Sequence, residues 1–309
     1  MSLFLVTGGA GFIGSNICKA LLENGHKVRV LDNLVTGKMD NINSFINDID
    51  FINGDIRDQE IVRKAVTGTD FVLHHAAISS VQYSIMDPVF CSDVNTQGTL
   101  NLLCAARDTG VKRVVFASSA SVYGQNEIIP KKEDMKAEPA SPYAVTKYNI
   151  EVYARIFYSV YGLETVCLRY FNVFGPNQDP RSSYSGVISL FIKALREGNV
   201  IEIFGDGEQT RDFIYIEDVV RANLLAVASD RVGKGEVINI ATGVGKSLNE
   251  LISILSAITG VNPEIAYSSE KKGDIRHSKA DIELAKKLLN FEAKVSLEKG
   301  LKGLYGINN

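Results

Sequence analysis

Short apolar runs and amphipathic stretches alternate through the first half of the chain. Phe4–Thr7, Val28–Leu31, Asp50–Ile52, Phe71–His74, Arg113–Ala117 and Thr165–Arg169 read as short buried strands. Between them, apolar residues recur at helical spacing near 13–24, 58–66, 93–109 and 143–161. This alternation predicts right-handed βαβ crossovers and a parallel sheet with helices on both faces. The runs are continuous rather than alternating, as strands covered on both faces require. Beyond Pro176 the rhythm changes. Asn177–Ser185 is polar, and a helix near 187–197, a strand Ile201–Phe204 and the turn Gly205-Asp206-Gly207 follow. A helix near 217–228, a strand Val237–Ile240 and helices near 247–258 and 279–288 complete the pattern. The expected fold class is α/β: a doubly wound parallel sheet over 1–175, returning near 210–242, with a smaller mixed α/β lobe over 176–309. No internal repeat or low-complexity tract interrupts it. Lys131–Glu138 is charged and reads as a solvated loop.

The first strand ends in a burst of glycines, Thr7-Gly8-Gly9-Ala10-Gly11-Phe12-Ile13-Gly14, and an amphipathic segment with Ile17, Ala20, Leu21 and Leu22 follows. Glycines let backbone N–H groups approach a pyrophosphate, and a helix N-terminus favours negative charge. Strand, glycine turn and helix together open a Rossmann-type dinucleotide-binding unit. The second strand ends at Asp32, eighteen residues past Gly14. An acid there can bind ribose hydroxyls and repel a 2′-phosphate. Asn33 follows rather than arginine, so NAD is preferred to NADP.

A chain of 309 residues with 45% hydrophobic content can bury a large core. Net charge is −3, with both signs scattered, so nothing points to nucleic acid or a membrane surface. The start has no basic n-region or small-residue cleavage site, and no apolar run reaches membrane-span length, so a cytoplasmic protein is expected. Cys18, Cys91, Cys104 and Cys167 lack metal or redox spacing and read as buried thiols. His26, His74, His75 and His277 form no metal-ligand pattern.

In a doubly wound sheet, ligands sit beyond the carboxyl ends of the strands. The residues there are Gly54-Asp55-Ile56, His75-Ala76-Ala77, Ser118–Gly124 and Tyr170–Pro176. Small and polar side chains thus gather on one rim. Ser141-Pro142 opens a helix in which Tyr143 and Lys147, four residues apart, share a face. Tyrosine, with an ordinary pKa of about 10, is a poor base at neutral pH. A lysine cation and an oxidised nicotinamide beside it would favour the phenolate. Ser119, after the preceding strand, can bond the reacting oxygen and relay its proton. Tyr267–Lys271 repeats the spacing in a polar stretch and reads as chance.

These motifs, with Arg211-Asp212-Phe213, Leu168–Gly175 and Gly273–Asp281, span essentially the whole chain. Jointly they resemble the extended short-chain dehydrogenase/reductases of the nucleotide-sugar epimerase type. The resemblance implies an NAD site of Gly8, Gly11, Phe12, Ile13, Gly14, Asp32, Asn33, Asp55, Ile56, Ala76, Ala77, Asn95, Tyr143, Lys147 and Tyr170. Asp55 and Ile56 would flank the adenine, Asn95 support the cofactor side, and Lys147 bond the nicotinamide ribose. Ser119, Tyr143 and Lys147 would be catalytic, and no metal is implied. Family dehydratases carry acidic residues just after the catalytic hydroxyl; here Ala120 and Ser121 stand there, which favours 4-epimerisation of a UDP-sugar. The implied substrate contacts are Ser80, Ser119, Asn172, Gln178, Arg211, Arg276 and Ser278, the two arginines matching a diphosphate. Epimerases limited to plain hexoses have tyrosine at the position of Ser278, so serine leaves room for an N-acetyl group. UDP-N-acetylglucosamine 4-epimerisation is therefore expected, with UDP-glucose or UDP-glucuronate as alternatives. Ser79 departs from the glycine of those relatives and would tighten the pocket. A non-catalytic NAD-binding regulatory protein would show an eroded triad, and this one is intact. Helices near 93–109 and 143–161 carry Leu100, Leu103, Cys104, Val152, Ile156 and Val160 on more than one face, which predicts a homodimer through them.

Overall fold

The computed structural model describes residues 1–179, 186–270 and 275–306. The chain opens with β1 (Leu3–Thr7), α1 (Phe12–Glu23), β2 (Lys27–Asp32), β3 (Ile49–Asn53), α2 (Gln59–Val66) and β4 (Phe71–His74). Next come α3 (Val81–Met86), α4 (Pro88–Ser92), a π-helical stretch Asp93–Gln97, α5 (Gly98–Thr109), β5 (Arg113–Ser119) and α6 (Pro142–Tyr161). β6 (Glu164–Tyr170), β7 (Asn172–Phe174), α7 (Val187–Glu197), β8 (Ile201–Phe204), β9 (Thr210–Tyr215) and α8 (Ile216–Ala228) follow. The last are β10 (Lys234–Ile240), β11 (Gly245–Ser247), α9 (Leu248–Thr259), β12 (Ile265–Ser268), α10 (Glu283–Leu289) and α11 (Leu297–Tyr305).

Seven strands form one parallel sheet in the order β10-β6-β5-β4-β1-β2-β3. Successive side chains along β1 go to opposite faces. Phe4 and Val6 pack with Ile17, Leu21, Val219 and Ala222 from α1 and α8. Leu5 packs with Val62, Leu102, Leu103 and Ile150 from α2, α5 and α6. The strand order reverses between β1 and β4, where connections leave to opposite faces and a cleft opens.

A single residue, Phe171, separates β6 of this sheet from β7, which belongs to a three-stranded sheet β11-β9-β7. Phe171 is buried, and its N–H donates to Ile240 O at 3.2 Å. α7, α9 and α11 cover the smaller lobe around Phe174, Phe191, Leu251, Leu255 and Leu301.

Two expectations change. Lys131 is not on a solvated loop: it is 2% exposed, and its backbone bridges the 279–281 segment. β7, β9, β11, β12, α3, α4 and α11 add to the expected elements. β7 and β11 have three residues each, too few to show a period. Among the described residues no helix is long and apolar enough to cross a membrane.

Candidate active site

The turn after β1 is packed to backbone contact. Gly8 has φ +69°, and a Cβ there would lie 2.7 Å from Ala76 N. A Cβ on Gly14 would lie 2.2 Å from Gly8 O. α1 is capped by Gly11 with no side-chain cap, so the first-turn N–H groups of Phe12, Ile13 and Gly14 have no capping side-chain acceptor. Asp32, at the end of β2, accepts from Ala10 N at 3.0 Å and Leu34 N at 2.8 Å. Burial pushes its pKa up, while these two N–H bonds oppose the shift. Each of its oxygens keeps acceptor capacity.

Asn33 donates to Asp55 at 3.0 Å, and Arg57 grips the same carboxylate with Nε at 3.0 Å and Nη2 at 2.9 Å. Arg57 is the chief reason the Asp55 pKa is held at about 2. Sequence reasoning missed Arg57, although an arginine two residues past an aspartate on a strand-end loop was a visible signal. Ile56 is buried under Gly98. Thr7 Oγ1 receives both His75 N and Ala76 N at 3.2 Å, which sets the turn leading into Ala77. Asn95, wholly buried, accepts from Ile78 N at 2.8 Å and donates to Ile78 O and Thr146 Oγ1, both at 3.0 Å. It ties the loop after β4 to α6. The Tyr170 hydroxyl lies 3.0 Å from His75 Nε2 and accepts from Asn223 Nδ2 at 2.8 Å; burial pushes its pKa up. An uncapped helix start, a glycine turn with no room for side chains, and carboxylates after β2 and β3 fit a dinucleotide.

Ser119 ends β5, and its Oγ accepts from Ser121 N at 3.1 Å. Ser141 caps α6 by accepting from Ala144 N at 3.2 Å, and Pro142 suits the first helical position. Tyr143 and Lys147 therefore start on a fixed helical turn, with Tyr143 N donating to Ser84 Oγ at 3.1 Å. Lys147 is 4% exposed; its Nζ donates to Ala117 O at 2.8 Å and lies 5.8 Å from the Tyr143 ring centre. The expected lowering of the Tyr143 pKa by Lys147 is not what these residues produce alone. Burial pushes Tyr143 up to about 12, opposed by Ser119 beside the phenol. Burial likewise pushes Lys147 down to about 8. Desolvation of both groups outweighs a single ammonium already bonded to a carbonyl.

Most of the expected substrate contacts sit on the smaller lobe or the segments bordering it; Ser79 and Ser80 instead precede α3, whose Ser84 receives Tyr143 N. Asn172 opens β7 opposite Phe213 of β9. Arg211 donates to Thr210 O at 2.9 Å and Ile275 O at 2.6 Å. Arg276 spends its fork on Asp206, with both N–O distances 2.7 Å, at a half-exposed position. Ser278, 7% exposed, donates its N–H to Thr210 O at 3.1 Å. Ser80 caps α3 by accepting from Tyr83 N at 2.9 Å, and Ser79 is exposed. Gln178 accepts from Ser189 Oγ at 2.8 Å. Its neighbour Asp179 pairs with Lys38, and Asn177 donates to Ser15 Oγ at 3.0 Å, so this loop docks on the start of α1. Pro180, Ser185, Lys271, Lys272, Gly273 and Asp274 lie outside the described residues.

A switch-point cleft with this glycine turn on one side and a Ser-Tyr-Lys set on the other defines a Rossmann-type, dinucleotide-dependent enzyme. The sequence pattern of the NAD dependent epimerase/dehydratase family matches residues 4–241, and the chain belongs to that family, with NAD as its cofactor. It is similar to the UDP-N-acetylglucosamine 4-epimerase of Methanobrevibacter ruminantium M1, solved with UDP-N-acetylmuramic acid: 39% identity, TM-score 0.94, covering 99% of this chain and 97% of that one. The UDP-glucuronic acid 4-epimerase of Bacillus cereus, solved with UDP-glucuronic acid and NAD, shows 35% identity and TM-score 0.92, covering 99% and 98%. The UDP-glucose 4-epimerase of Mycolicibacterium smegmatis is 39% identical over 301 residues, 96% of this chain and 95% of that protein.

Proposed function

We propose that this protein is a UDP-sugar 4-epimerase that interconverts UDP-N-acetylglucosamine and UDP-N-acetylgalactosamine. The observation that carries the reaction type is the Ser119–Tyr143–Lys147 set, with Ala120 and Ser121 directly after Ser119. Eliminating water from the sugar would require a carboxylic acid beside the hydroxyl, and small neutral side chains stand there. NAD, when bound, supplies the two-electron acceptor and donor for sugar C4 and a positive charge near Tyr143. Tyr143 takes the O4 proton and returns it to O4 of the epimer. Ser119 bonds the same oxygen and keeps it within reach of the phenol. Lys147, fixed on Ala117 O, holds its ammonium behind the phenolate. Between the two proton transfers the 4-keto sugar turns over in the cleft.

On the other wall, Arg211 and Arg276 are the diphosphate ligands, Arg276 exchanging the Asp206 carboxylate for phosphate oxygens of the same bidentate geometry. Asn172, Gln178 and Ser80 line the sugar side, and the small Ser278 leaves space at C2. The supporting relative at 39% identity is one that its name ties to UDP-N-acetylglucosamine. The functional unit is a homodimer through α5 and α6, whose Val152, Ile156 and Val160 are exposed in the single chain.

Proton NMR of purified protein with UDP-N-acetylglucosamine, and no added NAD, tests this reading. New anomeric signals of the galacto epimer are expected, and Ser278→Tyr should remove them while sparing UDP-galactose. Turnover confined to UDP-glucose or UDP-glucuronate would overturn the N-acetyl preference but keep 4-epimerisation. No turnover of any of them would overturn the function.

A further inference from the structure

Behind the catalytic serine lies a polar chain that the proposed chemistry does not use. Ser118 pairs with Arg169 across β5 and β6, and Ser119 with Tyr170. Ser118 Oγ donates to Glu151 Oε1 at 2.6 Å. Glu151, on α6, is fully buried and receives Arg169 Nε on Oε1 and Nη2 on Oε2, both at 2.8 Å. Among the described residues the third nitrogen, Arg169 Nη1, is buried and finds no partner of hydrogen-bond geometry. The guanidinium carbon stands 4.6 Å from the centre of the Tyr123 ring, and Tyr123 Oη donates to Asn239 Oδ1 at 2.7 Å. Asn239 Nδ2 in turn donates to Lys131 O at 2.9 Å and Asp281 O at 3.2 Å. Lys131 N donates to Lys279 O at 2.8 Å, one residue past Ser278.

We propose that Glu151 is a positioning residue that fixes Ser119 against Tyr143 and couples that pair, through Arg169, Tyr123 and Asn239, to the segment carrying Ser278. Two arguments support it. First, Tyr143, Lys147 and Glu151 follow at intervals of four on one helix, so one face of α6 carries the base, its cation and this carboxylate. Lys147 grips Ala117 and Glu151 grips Ser118, so consecutive residues of β5 are clamped to the same helix just before Ser119. Second, stability alone does not account for the ion pair. Desolvating two charges offsets most of their attraction, and packed apolar residues of equal volume commonly do as well or better. An arginine with one buried nitrogen unpaired is a costly way to fill a core, and a geometrically strict way to hold one.

The proposal rests on the 4-epimerase reading, so wild-type turnover of UDP-N-acetylglucosamine, UDP-glucose and UDP-glucuronate is measured first; inactivity on all three overturns both. In the full-length holoenzyme, Ser118→Ala removes one hydrogen bond and leaves the ion pair. We expect kcat to fall about tenfold with KM held within about twofold. The acid limb of the kcat–pH profile should move to higher pH, because a displaced Ser119 no longer favours the phenolate. The groups facing Tyr143 are Lys147 of its own helix, Cys91 of α4 and Ser119 of β5, and the variant leaves the first two in place. The double variant Glu151→Leu/Arg169→Met guards against misfolding, since it replaces the pair with apolar volume. It should melt no lower than wild type and show the same kcat loss and shifted limb. Wild-type kcat and an unmoved limb in Ser118→Ala, or in a well-folded double variant, would overturn the positioning role.

Discussion

Tyr143 and Lys147 show burial and charge competing over one helical turn. Their spacing was legible in the sequence; the outcome was not, because desolvation depends on what packs around the pair. Removing the phenol hydroxyl tests its role as the proton carrier. Tyr143→Phe should lower kcat by about 10²–10⁴-fold with little change in melting temperature, as loss of a general acid–base group does; steady-state assay beside calorimetry reads both. His74 gives a stability test. It is 3% exposed, lies 2.7 Å from Thr7 Oγ1 and 2.9 Å from Thr99 Oγ1, and burial pushes its pKa down to about 3. Its unfolded value is near 6.5. The folded pKa is depressed, so the unfolded chain binds more protons between these values. This contribution is complete above pH 6.5 and is lost as pH falls toward 3. The slope is up to about 1.4 kcal/mol per pH unit. Melting scans at pH 7, 6 and 5 should fall more steeply for wild type than for His74→Gln. Single residues also account for what the sequence concealed. Lys131 looks like an ordinary surface charge, and only a distant partner, the 279–281 backbone, reveals its role; Arg57 was within reach, since its partner Asp55 lies two residues away.

At the level of elements, the six expected strands of the parallel sheet appear with ends shifted by at most two residues, since apolar residues dominate most of them. The glycine turn was equally legible, because its composition states the backbone conformation it needs. Gly14→Ala would place a Cβ 2.2 Å from Gly8 O. Overpacking of this kind costs about 1–3 kcal/mol. The variant should be purified with little NAD, seen as loss of cofactor absorbance, and should melt below wild type. Full occupancy with unchanged melting would mean that the turn relaxes. Short elements were hidden for the opposite reason. α3 and α4, of six and five residues, owe their starts to Ser80 and Asp87 caps. Helices that short show no amphipathic repeat, and tertiary contact rather than propensity supports them. The π-helical stretch Asp93–Gln97 lies within what the pattern gave as one helix near 93–109; it contains Asn95, whose three bonds to Ile78 and Thr146 are long-range and invisible to periodicity.

At the scale of the whole molecule, α6 has two jobs. Ala144, Lys147, Ile150, Glu151 and Ala154 are buried against the sheet, while Val152, Ile156 and Val160 are 37%, 41% and 64% exposed. In the proposed dimer this apolar strip is the surface that meets the partner copy. Ile156→Glu should convert the proposed dimer to monomer in sedimentation velocity, with the single-chain fold unchanged by circular dichroism; a monomeric wild type would overturn the dimer. The alternation of apolar runs with amphipathic stretches foreshadowed the α/β core but not how its seven-stranded and three-stranded sheets meet, because that junction turns on one residue between two strands. At Phe171 the two walls run into each other almost without a break: β6 ends, one buried and hydrogen-bonded residue passes, and β7 begins in the other sheet. The cleft is thus a forked spine rather than a hinged jaw. Its angle is a property of main chain shared by both walls, so new sugar preferences are expected to arise by redecorating the smaller wall while the proton-transfer wall stands still.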